Sequence, residues 1–324
     1  MRATTRSPIE LDVYSYRPTS KSANGECPGS KRTRDTRMCS ASLSQRYFKS
    51  VDRPFALRPA TSADVAGIAR VAIDTDQAGE GAGADASYVH HLLTRGTVVV
   101  ATTDDVVIGY AATVRIAEVD MLADLFISPD WQGKGMGGAL LSKVWSDAPD
   151  RMTLSSTHPA ALPLYVRFGM APILPVLYVS GEPFAYSDGL TFETISAHEA
   201  AQAETDMTGL DRSNDYVYWA KRPRARCFVI RRGGALVGVG ALGGDGVSYG
   251  VSHCVSVSAG ETTSVALTAA AALESRGFIC VPGPSPALPE LLQRSWRIID
   301  SDLFMGTRPD LIDPELLMPH SGLM

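Results

Sequence analysis

The sequence lacks the features that would place it in several large classes. Its five cysteines, Cys27, Cys39, Cys227, Cys254 and Cys280, are odd in number and form no CxxC pair. Neither a disulfide framework nor a zinc site is therefore expected, no metal is assigned, and a reduced, cytoplasmic setting is the expectation. No apolar run approaches the roughly 18–20 residues that a bilayer-crossing helix needs, so no membrane partner is expected. Aromatic residues make up only 7% of the chain and charged residues 20%, against 45% apolar. Disorder throughout, a collagen-like repeat and a coiled coil all conflict with that balance. With 30 basic and 35 acidic residues the net charge is −5, which gives no general case for nucleic acid.

What is present is a chain of 324 residues, long enough for two domains that each bury a core. Charge is spread unevenly along it. Residues 1–53 hold 11 Lys and Arg against 5 Asp and Glu, a net of +6, and the remainder carries −11. From Thr19 to Ser44, Ser, Thr, Arg and Lys dominate and large apolar side chains are few. Such a segment cannot bury enough surface to offset its ordering entropy, and it lacks the apolar core of a secretory signal. Residues 1–53 read as a basic, disordered tail or as sequence upstream of a start at Met38. An organelle-import peptide and a nucleic-acid-binding arm are the other readings.

Order is expected from Pro54 onward. Phe55–Pro59 reads as a strand, and Thr61-Ser-Ala-Asp64 resembles a capping box ahead of Val65, Ile68, Ala69 and Ala72 at helical spacing. Gln77–Ala86 reads as a loop and Tyr88–Leu93 as a helix. The β-branched runs Thr97–Thr102 and Val106–Val114 flank Thr103-Asp104-Asp105, a hairpin signal. A third run, Met121–Ser128, meets Pro129 and a glycine-rich loop. A helix to about Trp145, a strand at Met152–Ser156, a helix at Ala160–Phe168 and a strand around Ile173–Val179 follow. Strands that first meander and then alternate with helices indicate a mixed α/β fold.

The loop Asp130-Trp-Gln-Gly-Lys-Gly-Met-Gly-Gly138 is the richest signal. Gly133, Gly135 and Gly138 satisfy the dinucleotide pattern GxGxxG, but Pro129–Gln132 separate it from its strand. The preceding strands read as a hairpin rather than a βαβ unit, and Met152–Ser156 ends without an acidic residue for a ribose. A P-loop fails because Gly133-Lys134 is followed by Gly. The spacing of Gln132, Gly135 and Gly137, between a strand and a helix, instead describes an anion site. Backbone N–H groups at a helix N-terminus point outward, and the helix dipole favours negative charge there.

In this setting Leu125-Phe-Ile-Ser-Pro-Asp-Trp-Gln-Gly-Lys-Gly-Met-Gly-Gly-Ala-Leu-Leu141 resembles the acetyl-CoA signature of the GNAT superfamily of acyl-CoA-dependent N-acyltransferases. The resemblance implies that Gln132 and the N–H groups of Gly133, Lys134, Gly135, Met136, Gly137 and Gly138 hold the pyrophosphate of acetyl-CoA. It also implies that the backbone of Phe126, Ile127 and Ser128 bonds the pantetheine arm. A second signature of the family follows one strand later, as His158, Ala161, Tyr165 and Gly169-Met170. His158, a candidate coenzyme contact, stands where the family often has Asn, and Met170 replaces the usual Phe. The resemblance covers residues 54–180. It implies a GNAT fold, a mixed and partly antiparallel central sheet flanked by helices.

Acyl transfer to an amine makes definite demands. An amine near pKa 10 is mostly protonated at neutral pH, so a base must take its proton. Glu118, Asp120 and Asp124 lie on or just before the third run, where the family often places its carboxylate. Asp120 and Asp124 share parity and face one side of an unbulged strand; Asp120 is favoured, Asp124 is next, and ordered water is the other option. The oxyanion needs a donor, which the resemblance places near the Phe126 or Ile127 N–H. Tyr165, whose family counterpart sits by the coenzyme sulfur, is the candidate acid for the leaving thiolate.

Gly181–Gly189 reads as a connecting loop to a second unit. Leu190–Ile195 is a strand, Ala197–Asp206 helical, and Cys227–Ile230 with Ala235–Ala241 a hairpin. Thr263–Ser275 is an Ala-rich helix, and Phe278–Val281, Ala287–Arg294 and Ile298–Met305 read as strand, helix and strand. The order repeats the later half of the first unit, closing strand included, but Ser256–Thr263 stands where the glycine-rich loop would be. This resembles the degenerate second domain of tandem GNAT proteins, with domains at 54–180 and 187–312. The resemblance implies that one unit binds acyl-CoA while the other shapes the acceptor site or a homodimer surface. Asp211, Arg212, Asp215, Tyr216, Tyr218 and Trp219 read as a receptor for a cationic amine or as an amphipathic helix face. His253 and Cys254 lack further ligands at metal spacing, and Trp296 reads as core. The expected activity is acetyl transfer from acetyl-CoA to a primary amine of a small molecule or peptide. A non-catalytic acyl-CoA-binding sensor or assembly module is the alternative.

Overall fold

The β-branched runs pair in the order in which they occur. The computed structural model describes residues 55–75, 85–145, 150–244 and 249–323, all within one compact unit. The tail assigned to residues 1–53 and most of the loop at 77–86 lie outside the described residues. Strands β1 (Ala56–Pro59), β2 (Gly96–Thr103), β3 (Val106–Ile116) and β4 (Val119–Ile127) form an antiparallel meander. Asp104 and Asp105 turn the β2–β3 hairpin with φ of 46° and 62°, the left-handed geometry whose twist suits a two-residue loop.

β3 is buried without interruption from Val107 to Val114, which requires cover on both faces. On one face, helices α1 (Val65–Thr75) and α2 (Ala86–Arg95) bring Val65, Ile68, Tyr88 and Leu92 onto Tyr110, Ala112 and Val114. α2 is longer than the sequence pattern suggested because the Asp85 side chain accepts from the Ser87 N–H and caps it. On the other face, α3 (Met136–Val144) and α4 (Ala161–Arg167) pack Leu140, Leu141 and Leu164 against Ala111 and Leu122.

β5 (Asp150–Ser155) runs parallel to β4, but their pairing spans only Val119–Leu122 against Asp150–Thr153. Beyond that point β5 parts from β4. The far edge of Ala123–Ile127 then has no strand partner among the described residues.

The second half repeats this plan. β7 (Leu190–Ile195), β8 (Arg226–Arg232), β9 (Ala235–Gly244) and β10 (Tyr249–Ser256) form a meander, and β11 (Gly277–Pro282) runs parallel to β10. Helices α5 (Ala197–Thr208) and α6 (Ser213–Trp219) cover one face, and α7 (Ala259–Ala271) and α8 (Ala287–Gln293) the other. α7 starts earlier than the Ala-rich run suggested, with Ser258 at its N-cap.

The closing strands are exchanged. β6 (Ala171–Gly181) does not return to β5 but pairs with β11. β12 (Arg297–Gly306) pairs with β5, and β6 and β12 pair with each other. One sheet results, in the order β1-β2-β3-β4-β5-β12-β6-β11-β10-β9-β8-β7. Phe304 of β12 is fully buried in the cluster that holds Tyr110 and Tyr216, a burial that contributes roughly 1.5–3 kcal/mol. Each half is thus completed by the other's last strand. A final short strand, β13 (Leu317–Met318), pairs with β10 at Val255 and Cys254. It takes the edge that β11 leaves after Val251, and the Ser256 N–H donates to the Leu316 carbonyl at 3.0 Å. The second half therefore fills with its own chain the gap that the first half leaves open. None of the described helices is long and apolar enough to cross a membrane.

Candidate active site

A bulge sets the geometry of β4. Its register against β3 runs Ala112 to Asp124 and then Thr113 to Leu122, so Ala123 is the extra residue. A bulge inserts one residue and reverses the alternation beyond it. Asp120 and Asp124 consequently face opposite sides of the sheet, and the one side expected for both from parity does not hold. The Asp120 carboxylate accepts from Arg115 Nη1 at 2.8 Å. It lines a cleft of about 310 Å³ with Thr113, Arg115 and Val144, on the α3 side of the sheet.

Asp124 lies on the other face, 8% exposed. Tyr110 Oη donates to its Oδ2 at 3.1 Å and Tyr88 Oη to its Oδ1 at 3.4 Å. Burial pushes its carboxyl up to about 6, against the two phenol hydrogen bonds, which favour the charged form. The backbone at Gly322 crosses directly over Tyr88, where a Cβ would lie 2.3 Å from the phenol oxygen. Only glycine fits that approach.

The open edge of β4 has a defined polarity. The Ser128 N–H donates to the Ile108 carbonyl at 2.9 Å, one step beyond the Gly109–Ile127 pair that ends the β3–β4 ladder. In an antiparallel ladder such pairs alternate with pairs whose N–H and C=O groups point away. Asp124, Phe126 and Ser128 thus direct their backbone groups toward β3, while Leu125 and Ile127 direct theirs into the gap. Of the three residues expected to bond the pantetheine arm, Ile127 faces the gap and Phe126 and Ser128 do not. Leu125 joins it.

The glycine-rich loop continues from that edge. Gln132 Nε2 donates to the Ile127 carbonyl at 3.0 Å and ties loop to strand. Gly133 and Gly135 adopt φ of 73° and 79°, with open space where a Cβ would stand. Gly135 is the N-cap of α3, and Ala139 makes the first helical bond, to the Gly135 carbonyl. The N–H groups of Met136, Gly137 and Gly138 therefore lie in the first turn, where no helical carbonyl reaches them. A Cβ at Gly137 would lie 3.0 Å from Leu164 and 3.4 Å from Ile127, so glycine lets α3, α4 and the end of β4 converge. Lys134 is exposed, with its Nζ 4.6 Å from the centre of the Trp131 ring. His158 is exposed before α4 and spends its Nδ1 accepting from the Ala160 N–H at 3.2 Å.

Tyr165 of α4 is 6% exposed, and its hydroxyl has no hydrogen-bond partner among the described residues. Burial pushes the phenol above its ordinary value, and the charges of Asp124 and Asp302 add to the shift. Tyr165 packs with the α3–α4 cluster, whereas Asp124 belongs to the opposite face. Its phenol is thus within electrostatic reach of a carboxylate on the other face of the sheet. Asp302, on β12, was missed from the sequence. Its strand holds Arg297, Asp300 and Ser301 as well, so a carboxylate there gave no distinct signal, and strand exchange, which brings it here, leaves no local mark.

The carboxylate and aromatic cluster of α6 is buried and already paired. Asp215 accepts from His91 Nε2 at 2.9 Å and lies within 3.3 Å of Arg212 and 3.6 Å of Arg95. Glu204 lies 3.1 Å from His253 and accepts from Tyr216 at 2.7 Å. These groups join α2 to α5 and α6 across the two halves. Among the described residues no group of three His, Cys, Asp or Glu is placed to hold a metal.

Comparison with known proteins fits this geometry. The family model described as "Acetyltransferase (GNAT) domain" matches residues 94–169, which run from the end of α2 to Gly169. A structure from Pyrococcus horikoshii, provisionally named an acetyltransferase, superposes with a TM-score of 0.68 at 14% identity, covering 84% of this chain and 96% of the other. A tandem GNAT protein from the clavulanic acid biosynthesis pathway gives 0.57 at 13% identity, covering 80% of this chain and all of the other. A GCN5-related N-acetyltransferase from Sphaerobacter thermophilus gives 0.54 at 16%, covering 81% and 98%. At such identities the likeness establishes the fold, a GNAT α/β fold of tandem type. No curated protein matches the chain.

Proposed function

We infer, for a chain that carries a GNAT acetyltransferase domain within a tandem GNAT fold, that it transfers an acetyl group from acetyl-CoA to a primary amine. The observation that carries this reading is the open edge of β4. It presents the backbone groups of Leu125 and the N–H of Ile127, whose carbonyl accepts from Gln132, and runs directly into the N–H groups at the start of α3 that no helical carbonyl reaches. A pantetheine arm needs an extended edge, and a pyrophosphate needs clustered N–H donors with space above them. The first half offers both in one line.

The coenzyme supplies an activated acetyl group as a thioester. The N–H groups of Met136, Gly137 and Gly138 hold its phosphates, and Leu125 and Ile127 align the arm like a strand. The Leu125 N–H, the nearer of the two to Asp124, is positioned for the developing oxyanion. Asp124 takes the proton of the attacking amine. Its elevation to about 6 brings it closer to an amine near 10, which lowers the cost of that transfer by about 3 kcal/mol relative to an ordinary carboxylate. As the C–N bond forms and the C–S bond breaks, Tyr165, protonated at neutral pH, gives its proton to the leaving thiolate.

A thermal-shift titration with acetyl-CoA, coenzyme A, NADH and NADPH tests the reading. A ligand at ~100 times its Kd stabilises the native state by about 2.7 kcal/mol, so acetyl-CoA and coenzyme A raise the melting temperature. Release of free thiol from acetyl-CoA then depends on added amine. A response to the nicotinamides alone overturns the reading.

A further inference from the structure

The first half's gap is bordered by a carboxylate that the first half does not encode. Asp302 sits on β12, one residue before Leu303, which pairs with Ser155 at the end of β5. Beyond Ser155 the strand facing the gap is therefore β12. Asp302 shares parity with Phe304, whose side chain packs in the cluster of Tyr88 and Tyr110. Tyr178 Oη donates to Asp302 Oδ2 at 2.7 Å and fixes the carboxylate on that face. Asp124 is bonded to Tyr88 and Tyr110 on the same face. Two carboxylates, one from each half of the chain, thus flank the gap.

We propose that Asp302 is the acceptor-recognition residue of this site and that the acceptor is a dication, an amine bearing a second ammonium group that docks on Asp302 while Asp124 deprotonates the first. The proposal rests on the acetyl-transfer reading above. Three independent features converge on it. The Asp302 carboxylate is held through one oxygen by Tyr178, which leaves Oδ1 for a ligand. Tyr165, nearly buried and without a hydrogen-bond partner, lies where both carboxylates act on its phenol. The neighbouring α2–α6 cluster keeps its own groups, with Arg95, Arg212 and the His91 ring engaged by Asp215, and among the described residues no ion pair takes either Asp124 or Asp302. Two acidic groups close to one gap repel each other unless positive charge enters between them, and a dication answers both.

The experiment compares matched acceptors. Putrescine and cadaverine are offered against butylamine and pentylamine, with acetyl-CoA and thiol release as the readout, for the parent and for Asp302→Asn. Diamines are expected to exceed monoamines in kcat/KM by about tenfold or more, chiefly through KM, and Asp302→Asn collapses that ratio to near one. Tyr178→Phe, which only frees the carboxylate to swing, reduces the ratio in part. An equal response to both amine types overturns the proposal, as does a diamine preference that survives Asp302→Asn. Failure to acetylate any of the four, with the acetyl-CoA thermal shift intact, overturns the dication acceptor and leaves coenzyme binding standing. Loss of that shift in the parent overturns the acetyl-transfer reading itself.

Discussion

Tyr110 donates a hydrogen bond to Asp124 across the β3–β4 pair, Oη to Oδ2 at 3.1 Å. The contact exists because the bulge at Ala123 turns Asp124 toward the α1–α2 face. It has two opposed consequences. Enclosure by Tyr88 and Tyr110 removes water and raises the carboxyl, while their phenols favour its charged form. The balance is an acid poised near 6 rather than a neutral buried group, which suits a base that must work close to neutral pH.

Replacing Asp124 with Asn is expected to lower kcat/KM by about 10²–10⁴. The parent profile rises with pH through an apparent pKa about 6, and the variant loses that limb. Stability moves the other way. A carboxyl raised in the folded state loses stabilisation as pH climbs from its ordinary 3.8 through about 6. The Asn variant therefore gains relative to the parent above pH 6, by on the order of 3 kcal/mol at most. Asp120→Asn, on the opposite face, keeps turnover within about twofold. Parallel pH–rate and melting curves check both; an Asp120 variant that loses the limb instead reverses the assignment.

Tyr165→Phe separates catalysis from binding. An enzyme that protonates its leaving thiolate through Tyr165 loses kcat by about 10²-fold, with little change in the acetyl-CoA thermal shift. A protein that only senses the coenzyme shows no amine-dependent thiol release in either form. Single-turnover measurements at saturating coenzyme distinguish these.

The shape of the glycine-rich loop was legible because its backbone geometry is local. Glycines in left-handed backbone, a strand ending at Pro129 and a helix starting at Met136 all follow from neighbours in sequence. Asp124 was only half legible, because the bulge that separates it from Asp120 arises from pairing with β3 and leaves no sequence signature. The exchange of β6 and β12 was hidden for a similar reason. Ile173–Val179 and Ile298–Met305 are both strands that follow short helices, and either could close either half. Leu125 was passed over because strand polarity is fixed by the Ser128–Ile108 bond, not by residue type. Asp302 became visible only once the exchange had placed it beside Ser155.

Gly135→Ala and Gly135→Glu test the phosphate cradle. A Cβ at Gly135 meets open space, so Ala costs only the left-handed backbone, about 1 kcal/mol, and weakens coenzyme binding slightly. Glu adds a negative charge where phosphates dock and lowers acetyl-CoA affinity by at least about tenfold. Isothermal titration of both variants decides it. Equal affinity for parent and Gly135→Glu removes the loop from the coenzyme site.

One coenzyme per chain is the expected stoichiometry. β13 pairs with Cys254 and Val255 of β10, and Ser256 donates to Leu316, so the second half's strand edge is already occupied. Deleting residues 314–324 exposes that edge but supplies no glycine-rich loop, and the count stays at one at most. Titration with acetyl-CoA or coenzyme A reads the number directly. Two equivalent sites would show that the edge taken by β13 is not the equivalent of the open edge of β4.

His320 gives the fold an acid-sensitive element. Its ring is half-buried and stacked on Trp219 at 5.9 Å between centres, and its Nδ1 accepts from the Gly322 N–H at 3.0 Å. Burial, with the charges of Arg222 and Arg212, pushes its pKa down to about 3. The unfolded chain takes up that proton near the ordinary 6.5 while the folded protein refuses it, so stability falls as pH drops below 6.5 and continues to fall toward 3. The loss is about 1.4 kcal/mol by one pH unit below 6.5 and about 5 kcal/mol in full. His320→Asn keeps an acceptor for the Gly322 N–H but does not titrate. The difference in unfolding free energy between parent and variant should therefore change with pH by this amount between 6.5 and 3. A difference that stays flat across that range would mean that His320 is charged or solvated in the folded protein.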